Sequence, residues 1–263
     1  MNNFDIREFF FWYGPADLKV DMSLPIPWLN LANILANFKS GRFNQREELF
    51  DLCCKNREGK ISIFALQLFF LVAREADLIL LSKYTQDASD VELKSIALRS
   101  TNSLIGIPLA HEISKIIEKI SDVKVKKNMT DILESFLTKD NRRQFGYDVK
   151  IIDIMNVIDL TLPRDVQFTF CGKPAFLGDI AINMQLLMQV AMSFDTPTIL
   201  GDSSGPTLLS AASGLECPVS YTTVMTLDKV KLVLDYVKAV SAMGKAMGGW
   251  KRGSKYFYGH EIV

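Results

Sequence analysis

Apolar positions in this chain recur mostly at three- and four-residue intervals, the spacing of helices that bury one face. Trp28, Leu31, Ile34, Leu35 and Phe38 make the first such stripe. Residues 45–55 (QREELFDLCCK) predict a short amphipathic helix, and residues 61–83 a long buried one. Val91, Leu93, Ile96, Ala97 and Leu104 continue the pattern, and Gly106 with Pro108 predicts where that helix stops. Residues 110–120 and 129–139 read as two more amphipathic helices, separated by the basic run KVKKN at 124–128.

The middle of the chain has a different rhythm. Val166, Phe168 and Phe170 alternate and end at Gly172, a strand signal, so a small hairpin is expected within 149–178. A Met- and Leu-rich helix over 178–194 follows, and the Gly, Ser and Pro content of 195–220 predicts loops. The last helix should start after Thr226, with Asp228 in its first turn, and stop at Gly248-Gly249. The expected fold is mainly α, two helical lobes with a small β-hairpin and extended N- and C-terminal arms. The boundaries read as an arm at 1–27, lobes at 28–150 and 151–247, and a second arm at 248–263. Pro25 and Pro27 should keep any helix from starting before Trp28.

A hydrophobic share of 48% with 23% charged residues suits a globular protein with a real core. Thirty basic residues balance thirty acidic ones, so net charge favours no polyanion partner, although a neutral total can hide a basic groove. Cys53, Cys54, Cys171 and Cys217 lack CxxC spacing or a nearby His, which predicts reduced, mostly buried thiols in a cytosolic protein and no metal site. No phosphate-loop or dinucleotide motif is present, so no cofactor is expected. Asp5, Arg7 and Glu8 precede the aromatic run Phe9-Phe10-Phe11-Trp12-Tyr13, which argues against a secretory signal. Arg74, Glu75 and Asp77 interrupt the apolar stretch 61–81, leaving a core helix and no membrane insertion.

One stretch carries a loaded spelling. Gly201-Asp202-Ser203-Ser204-Gly205 has the GxSxG form, and His111, Asp153 or Asp159, and Ser203 stand in a protease-like order. His111 opens a helical segment, and His260, the other histidine, is near the end. The stretch therefore reads as a polar turn and the chain as no enzyme. Glu47-Glu48 reads as a solvated helix face, and Asp87, Asp90 and Glu92 as a loop and helix start.

Three stretches carry a family resemblance. They are LCCKNREGKISIFALQLFFLVAREADLILLSK at 52–83, LRSTNSLI at 98–105 and GWKRGSK at 249–255. In that order they resemble the nucleoprotein of bunyavirus-order RNA viruses, of the orthobunyavirus and tospovirus type. The resemblance implies a virion and host-cytoplasm protein that encapsidates single-stranded RNA without sequence specificity. It also implies homo-oligomers formed through terminal arms, and a viral polymerase as a partner. It carries RNA binding over to Lys83, Arg99, Lys251 and Arg252. Lys94, Lys124, Lys126, Lys127, Arg142, Arg143 and Lys173 join them as basic residues in or beside loops. Phe9, Phe10, Phe11, Trp12, Trp250, Tyr256 and Phe257 are the expected oligomerisation residues. Glu75 and Asp77 depart from the family, which has lysines facing RNA there. The alternatives are a helical matrix-like assembly protein without RNA and, last, a hydrolase using Ser203.

Overall fold

A computed structural model describes residues 26–56, 59–100, 106–135, 169–170, 173–174, 204–219, 223–251 and 254–263. Among them are nine α-helices and two short antiparallel strand pairs, so the chain is mainly helical. The helices are α1 (Ile26–Lys39), α2 (Arg46–Lys55), α3 (Lys60–Val72), α4 (Ile79–Tyr84), α5 (Asp90–Ser100), α6 (Gly106–Lys119), α7 (Val123–Ser135), α8 (Ser204–Ser213) and α9 (Leu227–Ala246). Strand β1 (Thr169–Phe170) pairs with β2 (Lys173–Pro174), and β3 (Tyr256–Phe257) with β4 (His260–Glu261). The first pair falls where the alternating Phe pattern placed a hairpin. The helix expected over 178–194 lies outside the described residues.

Proline produced three boundary errors of one kind. Pro27 stands inside α1, Pro108 in the first turn of α6 where a stop was expected, and Pro206 in the first turn of α8 where a loop was expected. First-turn N–H groups have no acceptor within the helix, so a proline there costs nothing and presets φ. The basic run at 124–128 is likewise part of a helix. Asp122 accepts hydrogen bonds from the N–H groups of Lys124 (2.8 Å) and Val125 (3.0 Å), and so starts α7 before the lysines.

The chain forms two compact units, residues 46–175 and residues 1–45 with 176–263. The expected lobes kept the first helix with the N-terminal half. Instead Phe38 and Phe43 pack together, and Phe43 packs edge-on against Phe257, so the first helix joins the C-terminal part.

The unit spanning 46–175 is organised around α3, whose residues are almost all buried, including Phe64, Leu68, Phe69 and Phe70. Phe50 of α2 meets Phe69 at 5.0 Å and Tyr84 of α4 at 5.8 Å. The long helix expected over 61–83 breaks after Val72, because Ala73 and Arg74 are extended. The break is held on both sides. The buried Arg46 donates from Nε to the Val72 carbonyl at 2.8 Å, an acceptor left over by the end of α3. Asp77 accepts from the Arg74 backbone N–H at 2.8 Å and starts the 3-10 turn Glu75–Leu78. Arg46 Nε also lies 3.5 Å from the Asp77 carboxylate. Burial pushes the Asp77 carboxyl up, but hydrogen bonds from Arg74 and the charges of Arg74 and Arg46 outweigh it and hold the group below the ordinary carboxylate range. Cys53 and Cys217 are buried thiols and Cys54 is half-buried, none of them in a disulfide.

The other unit packs α1, α8, α9 and the C-terminal hairpin around Leu31, Leu35, Leu209, Val233 and Phe257. Thr226 caps α9 as expected, its hydroxyl accepting from Lys229 N. Gly248 and Gly249 end the helix with positive φ values of 88° and 95°. Beyond them the Trp250 indole folds back along α9 and donates from Nε1 to the Val240 carbonyl at 3.2 Å. It rests on Gly244, where an added Cβ would come within 2.2 Å of the indole nitrogen.

Two substitutions test this account. Arg46→Ala leaves Val72 and Asp77 without their buried partner and should cost about 3 kcal/mol in urea unfolding. Gly244→Ala should gain about 1 kcal/mol from helix propensity. It should nevertheless lower the melting temperature and shift tryptophan emission to the red, because the methyl group displaces Trp250.

Candidate functional site

The first turns of α5 and α7 lie side by side at one edge of the 46–175 unit. Each is held by its own cap. Ser89 N donates to Glu92 Oε2 at 2.7 Å, Ser89 Oγ contacts the same oxygen at 2.8 Å, and Glu92 N returns to Ser89 Oγ at 3.4 Å. Asp122 caps α7, and its own backbone N–H donates to Asp90 Oδ2 at 2.7 Å, which ties the two helix starts together. Lys119 Nζ reaches Thr85 Oγ1 at 3.3 Å along the same edge. Each partner in the Asp90–Asp122 bond is followed by a bare valine: Val91 is 76% exposed and Val123 82% exposed. The two tied helix starts thus carry two exposed apolar side chains among charged residues of both signs, an arrangement suited to binding.

The C-terminal hairpin is the second built feature. The Tyr258 and Gly259 N–H groups donate to the Ala211 and Ala212 carbonyls at 2.8 and 2.7 Å, which satisfies the end of α8. Tyr258 takes a φ of 50° to do so, and its ring packs over Gly214. Lys39 is buried with its amine 4.6 Å from the centre of the Tyr258 ring. Burial lowers the Lys39 pKa to about 8. Lys251 pairs with Glu261 at 2.7 Å, and Ser254 donates to the same carboxylate at 2.6 Å.

The residues expected to bind RNA are scattered through these elements. Lys124, Lys126 and Lys127 share the start of α7, Lys94 lies on α5, and Lys83, exposed, near the end of α4. Arg99 is in α5 and Lys173 in β2, while Arg142, Arg143 and Arg252 lie outside the described residues. Lys251 belongs to the other unit and is engaged by Glu261. Of the expected oligomerisation residues, Phe9, Phe10, Phe11 and Trp12 are outside the described residues. Tyr256 and Phe257 are buried, and Trp250 stacks edge-on against Tyr256 at 4.8 Å. These rings are spent inside their own unit, so the expected C-terminal arm is a docked hairpin. Ser203, Asp153 and Asp159 also lie outside the described residues, as does the His111 side chain.

The edge at Val91 and Val123 was not singled out from sequence, although Ser89-x-x-Glu92 is a capping signature. Neither valine breaks a helical pattern, and only the fold places the two starts together. Among the described residues no group of His, Cys, Asp or Glu is arranged to hold a metal ion, and no helix is long and apolar enough to cross a membrane.

Lys39 makes stability depend on pH. Its folded pKa of about 8 lies below the ordinary 10.5, so between these values the unfolded chain binds more protons and stability rises with pH. Tyr236 and Tyr258 act oppositely at higher pH, since burial raises both phenols above their ordinary value of 10.0. Wild type should therefore gain ~1.5 kcal/mol between about pH 8 and 9.5, and Lys39→Met should lose that slope, read by urea unfolding across the range.

Residues 28–262 match the family described as Immunity protein 47. No curated protein and no solved structure matches the chain. The match overturns the nucleoprotein resemblance, which rested on three stretches covering far less of the chain. With it go the RNA-encapsidating function, the viral polymerase and RNA partners, the virion location, and both alternatives, matrix-like protein and Ser203 hydrolase. The reason is visible in the fold. Phe69, Phe70 and Leu71 of the resembling run are core residues, and Trp250 packs on Gly244, so the likeness registered helix packing and no RNA-binding face. With a match running from near the start of α1 to the end of the C-terminal hairpin, the chain belongs to the Immunity protein 47 family.

Proposed function

We propose that the chain protects a bacterial cell by binding a cognate toxin protein and blocking it, as a stoichiometric partner that catalyses no reaction. The family match over residues 28–262 carries this reading. The described surface supports it: helix starts held by reciprocal caps present a firm face, and exposed apolar side chains stand among charges. A preorganised face loses little conformational freedom on association, so more of its contact energy appears as affinity.

The test is rescue of growth. The chain, co-expressed with toxin domains from its own bacterium, should restore growth against one of them and co-elute with it as a complex. A chain that accumulates folded, rescues growth from none of those toxins and forms no complex overturns the reading.

A further inference from the structure

We infer that Met247 is an oxidation site, and that its sulfoxide loosens the docking of the C-terminal hairpin. The oxidant is a peroxide. The response belongs to the fold of this unit and holds whether or not a toxin is bound.

The geometry starts at the end of α8. Its last carbonyls have no donor within the helix, and those of Ala211 and Ala212 are taken by the Tyr258 and Gly259 N–H groups at 2.8 and 2.7 Å. Gly259 is buried, and part of its cover comes from the end of α9. A methyl group added at Gly259 would lie 2.4 Å from Met243 Cε and 3.4 Å from Met247 Sδ, so the two thioethers rest against the turn of the hairpin. Met243 and Met247 stand four residues apart, which puts both on one side of α9.

The two differ in access. Met247 is 43% exposed and Met243 is half-buried, while Met129 and Met225 stand at 0% and 2%. Oxidation of a thioether follows its access to the oxidant, so among these four Met247 reacts first. Peroxide transfers one oxygen atom to the Met247 sulfur: the sulfur lone pair forms the S–O bond, the O–O bond breaks, and the reduced oxidant leaves as water. Sulfur is oxidised by two electrons. The product is polar and draws water to a place that apolar atoms now cover. Water there competes for the Ala211 and Ala212 carbonyls. Tyr258, held at a φ of 50°, gives up a strained backbone when it lets go.

The test is hydrogen peroxide on the folded chain. Peptide mass spectrometry follows each methionine, and amide hydrogen exchange by NMR follows the hairpin. Met247 should oxidise at least about 10-fold faster than Met129 or Met225. In the oxidised chain the Tyr258 and Gly259 amides should exchange about 10-fold faster, while the Val233 and Val240 amides within α9 keep their rates. Methionine sulfoxide reductase should restore slow exchange. Met247→Leu keeps an apolar cover of similar size and should exchange slowly before and after peroxide. Cys54 lies in the other unit, so an effect routed through its thiol would survive Met247→Leu. Faster oxidation of Met129 or Met225 than of Met247 overturns the site. Complete oxidation of Met247 with unchanged Tyr258 and Gly259 exchange overturns the coupling, as does faster exchange in peroxide-treated Met247→Leu.

Discussion

A single guanidinium sets the course of the chain through the unit that carries the candidate interface. Arg46 opens α2, yet its side chain acts at the far end of α3, where it occupies the Val72 carbonyl and faces Asp77. Without that partner the end of α3 would leave a buried carbonyl unsatisfied, and the chain would have reason to continue as helix. With it, the chain turns at Ala73 and Arg74, and α4 returns Tyr84 to Phe50. The next segment then starts at Ser89, close enough for Asp90 to meet Asp122. The edge with the exposed valines is thus downstream of a buried ion pair that touches none of it.

The other unit is built by close approach. Gly244 lets an indole lie on a helix, and Gly214 lets the Tyr258 ring lie on the end of α8. The backbone donors of Tyr258 and Gly259 finish the hydrogen bonding of α8. The result closes a segment that composition alone suggested would reach outward. A lysine ammonium is buried in the process beside Tyr258, a cost the surrounding packing must offset.

Function follows from surface and not from a reactive centre in this reading. Binding a protein calls for a firm face with exposed apolar area, and the helix starts of α5 and α7 offer both. Such a face leaves little trace in sequence. Val91 and Val123 are ordinary residues in amphipathic helices, 32 positions apart, and their neighbours Asp90 and Asp122 read as helix starts. The resembling stretches misled for the complementary reason: Phe-Phe-Leu and Gly-Trp runs are conspicuous because they pack inside, and packing is shared by unrelated helical proteins.

By itself the sequence determined that the chain is mainly helical, that α2 spans nearly the predicted residues, that α9 begins at Thr226 and ends at a glycine pair, and that a hairpin lies near Gly172. Each of these rests on interactions within a few residues: apolar periodicity, a capping hydroxyl, or a glycine free to take positive φ. The tertiary structure decided where prolines begin helices, that the run at 61–83 breaks after Val72, and that α1 joins the C-terminal unit. It also decided that the C-terminal aromatics turn inward and that two distant helix starts are tied together. Those outcomes depend on long-range partners, Arg46 with Val72, Phe43 with Phe257 and Asp90 with Asp122, which no local pattern encodes.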